Sequence, residues 1–249
     1  MLLTPSATAE DMNPVWSWDN LRVAMARNRQ YGTRMVYDIY VVNRDGSNGH
    51  WIRPTAFPFA LYDPAWSPDG SRLVLTVALS DGLYLATMNT STGDVSLIAG
   101  SRKGHHPVYD PTGQRIIYVS SDSKSIQQIN ADGSGQKTLL SSTQLFGSPA
   151  VSPDGKMIAY SRYAATTVNG HVTYSPDIFV SSLVGGTTKR MVAHMAYDID
   201  PTWSPDGSRI AFVSKRTGKS QIYTVSASGG GLTQITQEAA GGTSPAWTH

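Results

Sequence analysis

Cysteine is absent from the 249-residue chain. That excludes disulfide staples, thiolate metal sites and cysteine nucleophiles together. Charge is sparse as well: Asp, Glu, Lys and Arg make up 15% of residues and the formal net charge is +2, against about 25% charged residues in an average soluble domain. With no polybasic run, neither nucleic acid nor an anionic membrane is implied as a partner. No segment approaches the ~20 apolar residues of a spanning helix, so membrane insertion is not expected. The first residues, Met1-Leu2-Leu3-Thr4-Pro5-Ser6, lack a basic segment followed by ~7–15 apolar residues and do not read as a signal peptide. No window free of glycine and proline carries apolar residues at helical spacing, which excludes a helical solenoid. Gly-x-Ser-x-Gly, His-Glu-x-x-His and the phosphate-cradling Gly-x-x-x-x-Gly-Lys-Ser/Thr are missing too.

What the chain does contain is one phrase used six times. Its clearest forms are Asp63-Pro64-Ala65-Trp66-Ser67-Pro68-Asp69-Gly70 and Asp200-Pro201-Thr202-Trp203-Ser204-Pro205-Asp206-Gly207. Weaker copies begin at Asn13-Pro14, His106-Pro107 and Ser148-Pro149, and a short one at Ser244-Pro245. The prolines are 50, 43, 42, 52 and 44 residues apart. A period of that size means that each repeat is one supersecondary unit burying its faces on its neighbours.

Each repeat reads as four strands. In the last full one, Thr202-Trp203-Ser204 is followed by the turn Ser204-Pro205-Asp206-Gly207. Proline supplies the fixed φ of the second turn position, aspartate bonds local backbone, and glycine accepts the positive φ that closes the turn. Arg209–Ser214, Gln221–Val225 and Leu232–Thr236 supply three more strands, separated by polar or glycine-bearing turns. Second strands recur at Leu21–Ala26, Arg72–Ala78, Arg115–Ser120 and Met157–Arg162. Several are apolar runs, as in sheets buried on both faces. The expectation is an all-β chain, a β-propeller of four-stranded antiparallel blades. The repeats run 14–63, 64–106, 107–148, 149–200 and 201–244, giving five complete blades in one domain, 1–249. A partial sixth or closing element follows at 245–249, with an outer strand suggested at Leu2–Thr4.

The Pro-Ala-Trp-Ser-Pro-Asp-Gly of 64–70 and Pro-Thr-Trp-Ser-Pro-Asp-Gly of 201–207, each followed by a strand with Leu83-Tyr84 or Ile222-Tyr223, resemble the WD40-like repeats of TolB-type β-propellers. The resemblance covers about residue 12 to 249. It implies a periplasmic or exported protein and a protein- or peptide-binding scaffold. The same repeat also occurs in propeller domains of serine peptidases and in polysaccharide lyases, so a glycan-acting lyase or hydrolase is the alternative. TolB-type rings usually have six blades, so a five-blade ring, a trimmed six-blade ring and one completed by self-association all remain open.

The residue ahead of each opening proline forms a polar column: Asn13, Asp63, His106, Ser148, Asp200 and Ser244. Together with Asp198 these are the candidates for lining the mouth of a central channel. Asp63, His106 and Asp200 are the candidate ligands for Ca²⁺ or another divalent ion. The competing reading is that the column caps strands and bonds local backbone. The aspartates of the Ser-Pro-Asp-Gly turns, Asp69, Asp154 and Asp206, read as turn residues. His105 and His106 are expected on opposite faces of one strand, too far apart to share a metal. His106, His194 and His249 form a weaker converging set. Trp16, Trp66, Trp203 and Trp247 read as inter-blade core, whereas Trp18 and Trp51 stand out of register as packing residues or exposed anchors. Two insertions, Arg27–Val36 and Ala164–Ser175, break the period and are the expected partner-contact loops.

Overall fold

The computed structural model describes residues 10–53, 60–99, 103–168, 170–238 and 244–247. Five four-stranded antiparallel sheets follow one another along the chain, each in simple meander order. The first comprises β1 (Asp11–Trp16), β2 (Arg22–Tyr31), β3 (Arg34–Asn43) and β4 (His50–Ile52). The second comprises β5 (Ala60–Trp66), β6 (Arg72–Leu79), β7 (Gly82–Asn89) and β8 (Val95–Leu97). The third comprises β9 (Gly104–Tyr109), β10 (Arg115–Ser120), β11 (Ser125–Asn130) and β12 (Lys137–Ser141). The fourth comprises β13 (Phe146–Val151), β14 (Met157–Val168), β15 (His171–Ser182) and β16 (Lys189–Arg190). The fifth comprises β17 (Asp198–Trp203), β18 (Arg209–Ser214), β19 (Gln221–Ser226) and β20 (Thr233–Gln234). These are the blades of a β-propeller. No helix occurs among the described residues. Leu2–Thr4 and His249 lie outside them.

The chain divides into two compact units. Among the described residues, one runs from 10 to 121 with 128–137, and the other comprises 122–127 and 138–247. In the first unit, β6 buries both of its faces. Leu73, Leu75 and Val77 join Ala24, Ile39 and Val41 in one core, while Val74 joins Tyr109, Ile116 and Tyr118 in another. The apolar runs of the sequence therefore mark strands sandwiched between neighbouring sheets. In the second unit, Ala159, Ile178 and Val180 pack on Trp203, Ile210 and Phe212.

The repeated phrase builds the same joint at Ser17, Ser67, Ser152 and Ser204, and in the third blade Asp110 takes the serine's place. Ser67 Oγ donates to Asp69 Oδ1 (2.6 Å) and accepts from the amide of Arg72 (3.0 Å), and Gly70 has φ 68°. Ser204, Asp206 and Arg209 repeat those bonds at 2.6 and 2.9 Å. Three tryptophans of the phrase then reach back to the first strand of another repeat. Trp66 Nε1 donates to the Val15 carbonyl at 3.2 Å, Trp203 Nε1 to Ala150 at 3.0 Å, and Trp247 Nε1 to Thr202 at 3.3 Å. Trp18 and Trp51 pack as well. Trp18 Nε1 reaches the Trp66 carbonyl at 3.3 Å, and Trp51 stands edge-on to Tyr40 with centroids 5.3 Å apart.

Both insertions prolong a hairpin rather than form irregular loops. The β2–β3 ladder continues from Arg27↔Asp38 to Tyr31↔Arg34, and β14–β15 from Arg162↔Asp177 to Val168↔His171. Gly32 (φ 59°) and Gly170 (φ 78°) sit in their turns.

Candidate functional site

The polar column has a backbone reason for its composition. Asn13, Asp63, His106, Asp200 and Ser244 all have φ between 50° and 53°, the left-handed region, and Ser148 alone of the six does not. Asn, Asp and His tolerate that region better than other non-glycine residues. At each of the five full sheets the pairing of first and second strand slips beside this residue, as between Tyr62 and Ala65. The column is thus a bulge that lets each first strand enter its sheet and re-aims the side chains beside it.

In the first unit this bulge changes what the histidines do. Because His106 is left-handed, His105 and His106 do not alternate across the strand: their Nδ1 atoms are 2.5 Å apart. The expectation of opposite faces fails for that reason. Asp63 Oδ2 accepts from Thr76 Oγ1 (2.9 Å) and from the His106 amide (3.3 Å), and Asp63 Oδ1 is 3.7 Å from His106 Nε2. Burial, helped by the His106 ring, holds the His105 imidazole down to a pKa of about 4, so it is neutral at physiological pH.

In the second unit Ser148 Oγ donates to Asp200 Oδ1 at 3.0 Å. Asp198, expected at an open rim, is instead fully buried. Arg216 Nη2 reaches its two oxygens at 3.0 and 3.2 Å. Asp177 is buried in the same way against Arg190 and the His194 amide. Burial raises both carboxyls from the ordinary Asp value, and their cationic and hydrogen-bonding partners pull the other way. Asp63 and His106 belong to the first unit and Asp200 to the second. Among the described residues, no group of three His, Asp or Glu is placed to hold a metal ion.

A concave site lies elsewhere in the second unit. A pocket of about 310 Å³ opens where β13 and β17 begin, beside the middle of β14. It is lined by Leu145, Phe146, Gly147, Tyr163, Tyr197 and Ile199, with Ser123, Ser161, Arg162 and Pro176 completing the wall. Tyr163 and Tyr197 meet edge to face with centroids 6.3 Å apart. Arg162 lies over the Phe179 ring at 4.3 Å, and its Nε is buried without a hydrogen-bond partner. Of the lining residues Leu145 and Tyr197 are solvent-exposed; Met195, two positions before Tyr197, is exposed as well, as are Tyr174 (58%) and Val172 (57%) on the long hairpin.

The family description "TolB beta propeller domain" matches residues 4–174 and 165–249, almost the whole chain. The chain belongs to the TolB β-propeller family. Among curated relatives, the Tol-Pal system protein TolB of Francisella tularensis subsp. mediasiatica (strain FSC147) is 27% identical over 213 residues, 81% of this chain and 46% of that protein. The uncharacterized peptidase YuxL of Bacillus subtilis (strain 168) is 24% identical over 176 residues, 68% of this chain and 24% of that protein. The chain thus spans less than half the length of these relatives. A solved structure of a putative TolB from Agrobacterium tumefaciens superposes with a TM-score of 0.75 over 94% of this chain and 83% of that one, at 16% identity. That likeness concerns the fold.

For this TolB-family chain, the polar column was readable from sequence, and the pocket beside it was not singled out. The signal was nonetheless present one and two positions before the column. Met12, Tyr62, His105 and Ile199 stand where the fourth repeat has Gly147, and Asp11 and Asp198 stand where it has Phe146.

Proposed function

We propose that the chain is a non-catalytic TolB-like propeller module that binds a protein or peptide at the end where its first strands begin, using the hairpin β14–β15 as part of the contact. The observation that carries this reading is the pocket itself, walled by Phe146, Tyr163 and Ile199 with Leu145 and Tyr197 exposed at it, next to a hairpin that exposes Val172 and Tyr174. Large apolar side chains gathered at one place on a surface are the usual mark of an interaction site, whereas scattered ones are not. Tyrosine and methionine suit such a site, because they offer contact area with a polar or adaptable tip. The side chains of the polar column support the same reading: Asp63 is occupied with Thr76, and Ser148 with Asp200.

The test is selection of displayed random peptides on the purified chain, alongside a variant carrying Tyr174→Ser, Met195→Ser and Tyr197→Ser. Peptides enriched on the parent and lost on the variant are expected. Equal enrichment on both, or none on either, would refute the assignment of this surface.

A further inference from the structure

The first and fourth blades carry an arginine at the same register position, Arg27 and Arg162, and differ in what faces it; the second and third have Leu61↔Val77 and Gly104↔Ser120 there. In the first blade Arg27 pairs in register with Asp11. Its guanidinium lies over Tyr40 at 4.0 Å and makes two bonds to that carboxylate, at 2.5 and 2.8 Å. In the fifth, Arg216 lies over Tyr223 at 4.6 Å and bonds Asp198, the residue equivalent to Asp11. In the fourth, Arg162 occupies the place of Arg27 and stacks on Phe179, the counterpart of Tyr40. Its register partner on β13 is Phe146, so the carboxylate of that position is missing, and Asp177, opposite it on β15, is bonded to Arg190. Its Nε is buried without a hydrogen-bond partner. The next position deepens the gap. Gly147 replaces the bulky side chains of the other repeats, and a Cβ there would come within 2.2 Å of Ser161 Oγ. The result is an open pocket with one arginine at its wall and Leu145, Phe146, Tyr163, Tyr197 and Ile199 around it.

We propose that this pocket captures the C-terminal carboxylate of a partner polypeptide ending in an apolar residue. The carboxylate takes the place that Asp11 and Asp198 fill internally in their own blades. An arginine fork suits a carboxylate held by two parallel bonds. The apolar wall selects the source, because a chain terminus carries its apolar side chain and its carboxylate on one carbon, whereas an Asp or Glu side chain brings only the charge. This deepens the peptide-binding reading above and rests on it.

The test uses fluorescein-labelled hexapeptides ending in Leu or Phe, as free acids and as C-terminal amides, titrated by fluorescence anisotropy. The free acids are expected to bind on the order of tenfold tighter than the amides. Arg162→Gln should erase that difference. Phe146→Asp should erase it too, by restoring the internal pair of the first blade. Arg162→Gln changes a side chain that is only partly buried, so it keeps the test decisive if Phe146→Asp fails to fold. Equal affinity for acids and amides, or an acid preference that survives Arg162→Gln, overturns the proposal. So does an amidated peptide with an internal Asp that binds as tightly as the free acids. If carboxylate discrimination fails while binding of selected peptides still depends on Tyr174 and Tyr197, only this inference falls. If nothing binds, the peptide-binding reading falls with it.

Discussion

Asp63 shows how one residue serves backbone and packing together. It sits at φ 50° and accepts bonds from the buried Thr76 hydroxyl and from the His106 amide. Replacing it with alanine leaves a left-handed residue without its stabilising side chain and a buried hydroxyl without its acceptor. The expected cost is about 2 kcal/mol. Asparagine keeps an acceptor oxygen and tolerates the same φ, so Asp63→Asn should stay within about 1 kcal/mol. Urea denaturation of the two variants measures the contrast, and equal losses would contradict it. His105 gives a pH dependence with a definite sign. Its folded value of about 4 lies below the ordinary 6.5, so the folded state binds fewer protons than the unfolded chain between those values. Stability from this group is present above pH 6.5 and is lost as the pH falls toward 4, by about 2 kcal/mol after allowance for its partial exposure. Asp177 and Asp198, with raised values, act in the opposite direction. Melting curves from pH 7 to 4 should therefore fall less steeply for His105→Gln than for the parent. The polar column was legible in the sequence as a pattern, but its cause was not. A bulge is a register slip between two strands, and nothing in the string His105-His106 says that the pair leaves strict alternation.

At the scale of elements, the Trp-Ser-Pro-Asp-Gly phrase was legible in both halves, because it carries its own chemistry. The turn is fixed by proline, aspartate and glycine, and the tryptophan is the only large donor in the phrase. Trp203 is mostly buried and bonds the Ala150 carbonyl of the preceding blade at 3.0 Å. Trp203→Phe is expected to cost about 1–2 kcal/mol, the missing bond to a buried carbonyl, and Trp203→Ala about 3–5 kcal/mol. Denaturant midpoints at constant slope check this, and near-equal midpoints for the two variants would count against the hydrogen bond. The long hairpins were legible only as broken period. Their residues continue the β ladder past the core, where no burial fixes register, so the sequence showed extra length without saying what form it took. Excising residues 166–173 and joining Ala165 to Tyr174 through Asn-Gly should change folding stability by no more than about 1 kcal/mol, since Val172 and Thr173 there are exposed. It should weaken binding of selected peptides. A collapse of the melting transition would show that the hairpin is structural.

For the molecule as a whole, the period of the phrase specified a propeller of five four-stranded sheets, and the family match agrees with it. The pocket was hidden because it arises from substitutions against the repeat, at Phe146 and Gly147, and from the convergence of segments that sequence does not place together. Tyr163 and Tyr197 are far apart in the chain and meet only when the sheets form. The repeats carry the fold, and the fourth departs from it with Gly147 at the pocket we propose as the binding surface. The most direct measurement is amide hydrogen exchange of the full chain with and without a saturating peptide chosen by selection. Added protection is expected at 145–147, 161–165 and 195–199, where first strands begin in the second unit, with the Ser-Pro-Asp-Gly turns at 67–70 and 204–207 unchanged. Protection centred on those turns, or none above the free chain at 145–147 and 195–199, would contradict it.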